Sequence, residues 1–257
     1  MIITSKDNEI VKHIKKLKDK KERDEANEFV VEGIKMVEEA INEGANIKTV
    51  IVCDDCLGNS KIATDLLYEI AKENIIYVSE KIFKLISGVM TPQGILAVIE
   101  KTDTTNIDYK EDLYLILDNI QDPGNLGTII RTADSINLKQ IIIPKGSADP
   151  YNPKVVRSSM GAIFRVKIIE TEELSQTVKE MKKHKIKILA TDLRTDKSIY
   201  DVSYEKSAIV IGNEANGVSR DVLNLADESI KIPMLGKTES LNAAVATGII
   251  LYNAVRK

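Results

Sequence analysis

Apolar and polar residues in the first half of the chain alternate in patterns that predict a mixed α/β domain. The run FVVEG (29–33) has the composition of a strand, and the apolar residues of IKMVEEAINEG (34–44) follow the i, i+3, i+4 spacing of a helix that ends at Gly44. The pattern then predicts strand IKTVIVC (47–53), helix ATDLLYEIAKEN (63–74), strand IIYVS (75–79), a helix through KIFKLIS (81–87) capped by Ser79, and strand GILAVIEK (94–101). We expect a compact α/β unit of about 100 residues.

The second half is more regular, because its predicted strands are apolar almost throughout. The strand candidates are LYLILD (113–118), KQIIIP (139–144), FRVKII (164–169), IKILAT (186–191), SAIVIG (207–212) and SIKIP (229–233). Helical patterns lie at 126–137, around 152–161, and at 172–184, 219–226 and 240–256. Apolar strands that alternate with helices predict a parallel sheet covered on both faces. Ligands of such sheets bind beyond the carboxyl ends of the strands, which directs attention to the loops after Asp118, Thr191, Gly212 and Pro233.

The polar stretch KTDTTNIDYKED (101–112) separates the two halves. It is rich in Thr and Asp and has neither helical nor strand periodicity, as expected of a solvated linker. The predicted organisation is therefore a first domain at 1–100, a linker at 101–112 and a second domain at 113–257.

The composition excludes few classes of protein. Of the 257 residues, 43% are hydrophobic and 29% are charged, which is typical of a globular protein. No apolar run approaches the roughly 18 residues that a membrane span needs, and the amino terminus lacks the apolar core of a secretion signal. These features predict a cytoplasmic protein with no membrane partner.

Metal and redox sites are not indicated by the sequence. The two cysteines, Cys53 and Cys56, form a CDDC motif, while the two histidines, His13 and His184, have no motif spacing to them. A zinc site would need two further ligands, and the intervening aspartates disfavour a thiolate. We expect two ordinary thiols at the end of a strand, with a redox pair as the alternative.

The distribution of charge is uneven along the chain. The net charge of −3 does not by itself favour a nucleic-acid partner. Basic residues are nevertheless concentrated between Lys6 and Arg23, where they outnumber the acidic ones. Such a run is either a solvated helix face or a set of phosphate contacts, and the sequence leaves both interpretations open.

The stretch DNIQDPGNLGTIIRTADSI (118–136) joins the first strand of the second half to a helix. Pro123 fixes its own φ and Gly124 tolerates a positive φ, so the chain can turn directly after the strand. Asn125 suits the helix N-cap, where its side-chain oxygen would accept a hydrogen bond from a backbone amide. Arg131 falls off the apolar stripe of the helix, so both polar side chains are expected on the open side of this corner. An ordinary capped helix with a solvent-facing arginine is the alternative.

A second stretch, AIVIGNEANGVSRDVL (208–223), is a strand followed by a loop and a helix with Ser219 at its cap. The loop contains Gly212, Glu214 and Gly217, and such glycines let a flat ligand approach backbone amides closely. The pattern is not GxGxxG, and no GxxxxGK[ST] occurs in the chain. Dinucleotide and nucleoside triphosphate binding are therefore not indicated.

A third stretch, IKIPMLGKTESLNAAVATGIILYNAV (230–255), contains a strand that stops at Pro233, a loop with Gly236 and a final helix capped by Ser240. This helix is apolar almost all round and carries several small residues. We expect it to pack on its own sheet and on a second subunit, with burial inside one large core as the alternative.

Together, the three stretches resemble the signature motifs of the SpoU (TrmH) branch of the SPOUT superfamily of RNA ribose 2′-O-methyltransferases. The residues that carry the resemblance are DNIQDPGNLGTIIRTA, IVIGNEANGVS and IKIPMLGKTESLNAAVATG, in the family's order and with its spacing. The resemblance covers the second half completely. The first half, with VVEGIKMVEEA and TPQGILAV, looks like the family's amino-terminal RNA-recognition domain, which is related to ribosomal proteins that bind kinked RNA. One variation is Ala215 and Asn216, where glycine often follows the glutamate, and we expect it to leave activity intact.

The resemblance implies an α/β fold with a parallel-sheet SPOUT domain that contains a deep trefoil knot. It also implies S-adenosylmethionine as methyl donor and a homodimer formed through the knotted carboxyl-terminal region, with no metal. Threaded chains are rare exceptions, so the knot follows from the resemblance alone. By the family pattern, backbone groups of Gly212, Ile232 and Leu241 would hold the donor, with the Thr191 loop nearby.

The resemblance further implies a catalytic set of Asn125, Arg131, Glu214, Ser240 and Asn242. Arg131 corresponds to the family's catalytic arginine, but a guanidinium stays protonated in proteins and is a poor general base. Our hypothesis is that Arg131 grips an RNA phosphate and stabilises the emerging alkoxide, while that phosphate or water receives the proton. Asn125 would orient Arg131 or the ribose, and Glu214 would hold Arg131 or fix its own loop. Ser240 and Asn242 would hydrogen-bond the target nucleotide.

The RNA substrate is less closely defined than the chemistry. A dedicated recognition domain favours large-subunit ribosomal RNA over transfer RNA, by family analogy alone. A transfer-RNA methyltransferase and a non-catalytic RNA-binding paralogue are the alternatives, and a nucleotide-dependent oxidoreductase is a more remote one. The presence of the full polar set argues against the paralogue.

Overall fold

The computed structural model describes residues 2–58, 74–102 and 106–256, which form two compact units. The first unit comprises Met1–Thr102 and Tyr151–Phe164, and the second comprises Asp103–Pro150 and Arg165–Lys257. The helix predicted at 63–74 lies outside the described residues except for its last position.

From residue 28 onward the described helices and strands follow the predicted order, apart from a short helix at 54–57. The strand at 2–3 and the two helices before residue 27 were not predicted as individual elements. Up to residue 102 the elements are β1 (Ile2–Ile3), α1 (Glu9–Lys16), α2 (Lys20–Ala26), β2 (Glu28–Glu32), α3 (Ile34–Asn42), β3 (Ile47–Val52), α4 (Asp54–Leu57), β4 (Ile75–Val78), α5 (Glu80–Ile86) and β5 (Ile95–Glu100). Beyond residue 106 they are β6 (Leu113–Asp118), α6 (Pro123–Ser135), β7 (Gln140–Pro144), α7 (Pro153–Ser159), β8 (Lys167–Thr171), α8 (Leu174–Lys183), β9 (Lys187–Thr191), β10 (Ser207–Gly212), α9 (Arg220–Leu225), β11 (Glu228–Ile230) and α10 (Ala243–Ala254).

The first unit is built on a mixed sheet with strand order β1-β4-β3-β5-β2. Strand β5 runs antiparallel to both of its neighbours, whereas β4 runs parallel to β1 and β3. Because side chains alternate along a strand, Ile95 and Ala97 of β5 pack in a core cluster with α3, and Leu96 and Val98 pack in a second cluster with α1 and α5. Helices therefore cover both faces of this sheet.

Helix α7 belongs to the first unit, although the sequence analysis placed its residues in the segment 113–257. Val156 of α7 is buried in the cluster that contains Phe29 of β2. The ring of Phe29 also lies 4.7 Å from that of Tyr151 and 6.3 Å from that of Phe164, centroid to centroid. The helix itself is where its pattern predicts it, but the pattern does not reveal which sheet it covers.

The basic segment near the amino terminus forms α1 and α2, and much of its charge is paired. Nζ of Lys20 lies 2.9 Å from the Asp24 carboxylate, and Nζ of Lys12, Lys16 and Lys21 lie 3.5–3.6 Å from the carboxylates of Glu9, Glu22 and Glu25. Arg23 is buried, and its guanidinium donates to the Leu17 carbonyl at 2.7 Å. These contacts support the interpretation as a solvated helix face, although exposed pairs of this kind are weak enough to be displaced by phosphate.

The two cysteines lie side by side, with their sulfur atoms 3.0 Å apart, and both are free thiols. Burial, reinforced by the neighbouring Cys53 thiol, raises the pKa of Cys56 to about 12. A thiol with so high a pKa is a poor nucleophile at neutral pH, in keeping with the expectation of two ordinary thiols.

The second unit is built on a six-stranded sheet with strand order β11-β9-β10-β6-β7-β8. All of its strand pairs are parallel, which confirms the predicted parallel sheet. Strand β8 starts at Lys167, three residues later than predicted, because Ala162–Phe164 form a short 3-10 turn within the first unit. The core cluster beneath α8 and α9 is made of Ile, Leu, Val, Ala and Met side chains with Tyr114.

The carboxyl-terminal part of the predicted linker packs on the second unit instead of being solvated throughout. Ile107 and Tyr109 contact the core cluster beneath α8 and α9. The Asp108 backbone also accepts from Gln140 Nε2 and donates to Gln140 Oε1, both at 2.8 Å. Contact of the Ile107 and Tyr109 side chains with the core, together with the hydrogen bonds to Gln140, holds this segment on the second unit.

Within the described part of the chain, the helices are all too short or too polar to cross a membrane.

Candidate active site

The carboxyl ends of four neighbouring strands meet at one edge of the six-stranded sheet. Gly212 at the end of β10 pairs with Asp118 at the end of β6, and Ile230 of β11 pairs with Thr191 at the end of β9. Since the strands are parallel, the loops that leave these four ends emerge side by side. This edge is where the sequence pattern placed a ligand site.

Helix α6 begins immediately after Asp122, so the prediction that Asn125 is its N-cap is wrong. Asp122 has an extended backbone and its Oδ1 accepts from the Asn125 amide at 2.8 Å, which makes Asp122 the cap. Proline is favoured at the first helical position because it has no N–H to leave unsatisfied, and Pro123 occupies that position. Asn125 is therefore inside the first turn, and its side chain is free to make other contacts.

A chain of side-chain hydrogen bonds connects the three sequence motifs. Asn125 Nδ2 donates to Glu214 Oε1 at 2.9 Å, and Asn242 Nδ2 donates to Asn125 Oδ1 at 2.9 Å. The backbone amides of Gln121 and Asp122 make longer contacts of 3.4 and 3.5 Å to the Glu214 carboxylate. Residues 89 and 117 positions apart in sequence are thus held in one polar array.

The electrostatics of this array keep Glu214 ionised. Desolvation by its neighbours would raise the pKa of Glu214, but the hydrogen bond from Asn125 and those from backbone amides outweigh it and lower the pKa. A carboxylate stabilised by donors is an acceptor and not an acid at neutral pH. Glu214 therefore holds Asn125 in place, and the structure gives it no contact with Arg131 among the described residues.

Helix α10 is capped by Asn242, so the prediction that Ser240 is its cap is also wrong. Asn242 Oδ1 accepts from the amides of Ala244 at 2.9 Å and Val245 at 3.3 Å. Asn242 combines this capping role with its bond to Asn125, which ties the start of α10 to α6. Ser240 lies two residues earlier on an exposed loop, and its hydroxyl makes no hydrogen bond within the described part of the chain.

Arg131 is exposed on α6 and has no hydrogen-bond or ion-pair partner among the described residues. It follows Asn125 by six positions, so the two side chains project about 120° apart around the helix axis. Arg131 is therefore not part of the Asn125, Glu214 and Asn242 array within one chain. A guanidinium that carries no internal partner is available for an external anion.

Gly212 is required by the packing of its own loop. A Cβ atom added there would lie 2.1 Å from the Gly217 carbonyl carbon and 2.1 Å from the Val218 nitrogen. Asn213 and Gly217 also exchange backbone hydrogen bonds of 3.0 and 2.9 Å, so this loop folds back on itself. The space on the Cβ side of Gly212 is thus filled by the chain itself, so the loop needs glycine at this position.

The remaining predicted cofactor residues lie at the end of a strand or on the loop that follows a strand, at the same edge of the sheet. Thr191 Oγ1 donates to the Val210 carbonyl at 3.1 Å. Ile232 and Leu241 are half-buried, and within the described residues their backbone amides have no hydrogen-bond acceptor. Amides without an internal acceptor are available to a polar ligand that is held by main-chain contacts.

Several residues that organise the site were missed by the sequence analysis. Asp118 Oδ2 accepts from the Ser219 amide at 2.7 Å, and Asn213 Nδ2 donates to the Asn119 carbonyl at 2.8 Å. Gln121 Nε2 bridges to the Gly146 carbonyl at 2.9 Å. The concentration of Asp, Asn and Gln directly after two apolar strands (DNIQD and GNEAN) was the signal that could have identified them.

Helix α10 buries one face and exposes another, so the alternative of complete burial is wrong. Ala244, Thr247 and Leu251 are buried, whereas Val245 is 52% exposed and Tyr252 is 56% exposed. Part of this helix therefore presents apolar side chains at the surface of the single chain.

Comparison with known families matches both halves of the chain. Residues 112–252 match the SpoU rRNA Methylase family, and residues 8–97 match the MRM3-like substrate binding domain. The 23S rRNA (guanosine(2553)-2′-O)-methyltransferase RlmP of Bacillus subtilis is 35% identical over 98% of both chains.

Solved structures agree with these matches over nearly the whole chain. An AdoMet-bound rRNA methyltransferase from Sinorhizobium meliloti superposes with a TM-score of 0.87 at 30% identity, covering 99% of this chain and 97% of that one. The SpoU methyltransferase AviRb from Streptomyces viridochromogenes, in complex with AdoMet, gives a TM-score of 0.86 at 29% identity, covering 96% and 98%. With a family match over more than half of its length and a relative of this similarity, the chain belongs to the SpoU rRNA methylase family.

Proposed function

We propose that this protein transfers a methyl group from S-adenosylmethionine to a ribose 2′-hydroxyl of large-subunit ribosomal RNA. The observation that carries the proposal is the hydrogen-bonded array of Glu214, Asn125 and Asn242, which joins the three motif loops at one edge of the sheet. Family membership supports the reaction, and full-length relatives named as 23S rRNA methyltransferases support the class of RNA.

The residues proposed to hold the methyl donor are Thr191, Gly212, Ile232 and Leu241. When bound, S-adenosylmethionine supplies an electrophilic methyl group. The unpaired amides of Ile232 and Leu241 support main-chain recognition of its polar groups. Gly212 contributes by letting the Gly217 backbone pass closely, which shapes the loop beside the site.

The polar array is proposed to position the ribose. Each amide group retains unused capacity: Asn125 has one further N–H and one oxygen lone pair, and Asn242 has one further N–H. Because both amides are fixed by other partners, these groups are oriented before RNA binds, which lowers the entropic cost of alignment. Ser240, whose hydroxyl lies on an exposed loop, is proposed to contact the same nucleotide.

Arg131 is proposed to bind an RNA phosphate and to stabilise the charge that develops on the 2′-oxygen. Its exposure and its lack of an internal partner support this role. Arginine remains a cation throughout, so the proton passes to the phosphate or to water. The angle of about 120° between Arg131 and Asn125 suggests that Arg131 completes a site on a second subunit.

The organisation of the whole molecule is proposed from the same resemblance. Residues 1–100 are proposed to form the RNA-recognition domain, related to proteins that bind kinked RNA, and Tyr151–Phe164 add a helix to that unit. Residues 101–112 are proposed as the linker, and the rest of 113–257 as the methyltransferase domain with its trefoil knot. The match to a substrate binding domain supports the first assignment. The cytoplasmic location stays a prediction.

The homodimer is proposed to form through α10, because Val245, Tyr252 and Val255 leave an apolar surface exposed. Replacing Val245 by Glu puts a charge into that surface, and we expect it to shift the protein from dimer to monomer at micromolar concentration. Analytical ultracentrifugation provides the measurement. Identical sedimentation of the wild type and the Val245→Glu variant would place the interface elsewhere. The control is Val89→Glu, which puts the same charge at an exposed apolar residue of the first unit.

The proposed reaction is tested with purified protein, radiolabelled S-adenosylmethionine and unmodified transcripts of large-subunit ribosomal RNA and of transfer RNA. We expect label in the ribosomal transcript, recovered after nuclease digestion as one 2′-O-methylnucleoside. Label in transfer RNA alone would support the transfer-RNA alternative. A thermal shift with S-adenosylmethionine but no transfer to any RNA would identify a non-catalytic paralogue, and a shift with NAD alone would identify an oxidoreductase.

A further inference from the structure

We propose that Asn213 is a positioning residue for methyl transfer, which fixes Glu214 against Asn125 by anchoring the loop after β10 to the carbonyl of Asn119. The inference rests on the proposed function for its catalytic consequence. Asn213 itself makes no contact with the Asn125 or Asn242 side chains within the described residues, so its effect must pass through Glu214.

The first half of this role is to close the loop. Asn213 Oδ1 accepts from the amides of Ala215 at 2.9 Å and Asn216 at 3.1 Å. Its backbone pairs with Gly217 on both sides, at 3.0 and 2.9 Å. An asparagine that accepts from the backbone two residues on stabilises a tight turn, and here the turn contains Glu214.

The second half is to attach the closed loop to the neighbouring strand. Asn213 Nδ2 donates to the Asn119 carbonyl at 2.8 Å. Asn119 has a left-handed backbone, with φ of +64°, and its side-chain oxygen accepts from Gln121 Nε2 at 2.6 Å. A strained conformation that is held by several partners gives its carbonyl a fixed direction. Gln121 in turn is held by the Gly146 carbonyl at 2.9 Å.

The anchor at Asn213 affects the position of Glu214, which is the next residue in the chain. Its carboxylate accepts from Asn125 on α6 at 2.9 Å, and the position of that carboxylate depends on the loop that carries it. The only other contacts found between Glu214 and the strand-to-helix corner, within the described residues, are the long ones to the Gln121 and Asp122 amides. Release of the Asn213 anchor therefore lets the Glu214 carboxylate move away from Asn125.

The test uses Asn213→Ser, which retains a loop acceptor, adds no charge and cannot reach the Asn119 carbonyl. We expect kcat to fall on the order of 10-fold to 100-fold, because a misplacement of about 1 Å at a catalytic group has that effect. The KM for RNA and the Kd for S-adenosylmethionine should change much less. In a Glu214→Ala background, Asn213→Ser should reduce kcat little further, because both substitutions remove the same function.

A second readout does not depend on catalysis. The pKa of Glu214, measured by NMR titration of its carboxyl carbon, should rise toward the ordinary value in Asn213→Ser because the bond from Asn125 is lost. Gln140→Ser is the control: Gln140 Nε2 also donates to a backbone carbonyl, that of Asp108, at 2.8 Å, but at the start of β7 and so away from the carboxyl ends of the strands. It should lower the melting temperature without changing kcat or the pKa of Glu214.

Three results would overturn the inference. The first is a Glu214 pKa that does not move in Asn213→Ser, and the second is additive losses of kcat in the double variant. The third is a loss of kcat that merely parallels the fall in melting temperature in both Asn213→Ser and Gln140→Ser. A wild-type protein that transfers no methyl group contradicts the proposed function instead. The titration still decides whether Asn213 positions Glu214 in that case.

Discussion

Replacing Arg131 by Lys is expected to reduce the single-turnover rate of RNA methylation on the order of 100-fold, with S-adenosylmethionine binding unchanged. Lysine retains the charge but loses the planar fork that binds two phosphate oxygens, so the two residues are not interchangeable at such a site. Arg131→Ala removes the charge as well and should reduce the single-turnover rate on the order of 1,000-fold. This is within the range found when a donor to a developing oxyanion is removed. Rapid-quench assays with enzyme in excess over RNA isolate this step from product release.

Arg165→Lys is the matched control for this experiment. Nε of Arg165 donates to both carboxylate oxygens of Asp134, at 3.1 and 3.0 Å, and Asp134 lies on α6 together with Arg131. Replacement of Arg165 by Lys therefore also removes a forked contact to α6. It should leave the methylation rate near that of the wild type. A rate for Arg131→Lys equal to that of Arg165→Lys would exclude bidentate phosphate binding, and a fully active Arg131→Ala would remove Arg131 from the mechanism.

Replacing Gly212 by Ala is expected to destabilise the protein by about 3 kcal/mol or more, and to abolish donor binding. The added methyl group would lie 2.1 Å from two backbone atoms, the Gly217 carbonyl carbon and the Val218 nitrogen, and backbone cannot rotate away as a side chain can. Relief requires the loop after β10 to open, which displaces Glu214 as well. Urea denaturation followed by circular dichroism measures the stability, and soluble yield replaces it if the variant does not fold.

Gly236→Ala provides the comparison on a neighbouring loop. A methyl group at Gly236 meets no atom of the described residues within 4 Å, and Gly236 is not among the glycines with positive φ. We expect its stability to lie within about 0.5 kcal/mol of the wild type. Equal free energies of unfolding for Gly212→Ala and Gly236→Ala would show that the loop after β10 rearranges at little cost. The close backbone approach at Gly212 would then not constrain the site.

The helices and strands of the second unit were predictable because their signal is local. An apolar run such as LYLILD gives the same strand whatever it packs against, and β6 occupies the predicted residues. The parallel direction followed from the alternation of such runs with helices, because parallel neighbours need a crossover between them. The expected position of the site, at the carboxyl ends of four strands, followed from that direction.

The two helix caps were not predictable to the residue, because several polar side chains precede each helix. Asp122 and Asn125 both suit an N-cap by type, and so do Ser240 and Asn242. The choice depends on where the backbone first becomes helical, which is at Pro123 in α6 and at Ala243 in α10. The capping residues differ from those predicted by three positions in one helix and two in the other.

Sequence alone determined the order and type of most of the secondary structure from residue 28 onward, the parallel sheet and the three motifs that identify the family. Only the tertiary structure decided that α7 covers the first unit, that Gly212 makes room for its own loop, and that Asn242 bonds to Asn125 across 117 positions. The physical reason is that periodicity reports which face of an element is apolar, whereas hydrogen bonds and close packing depend on which distant residue the fold brings opposite. A pattern along one segment contains no information about its partner.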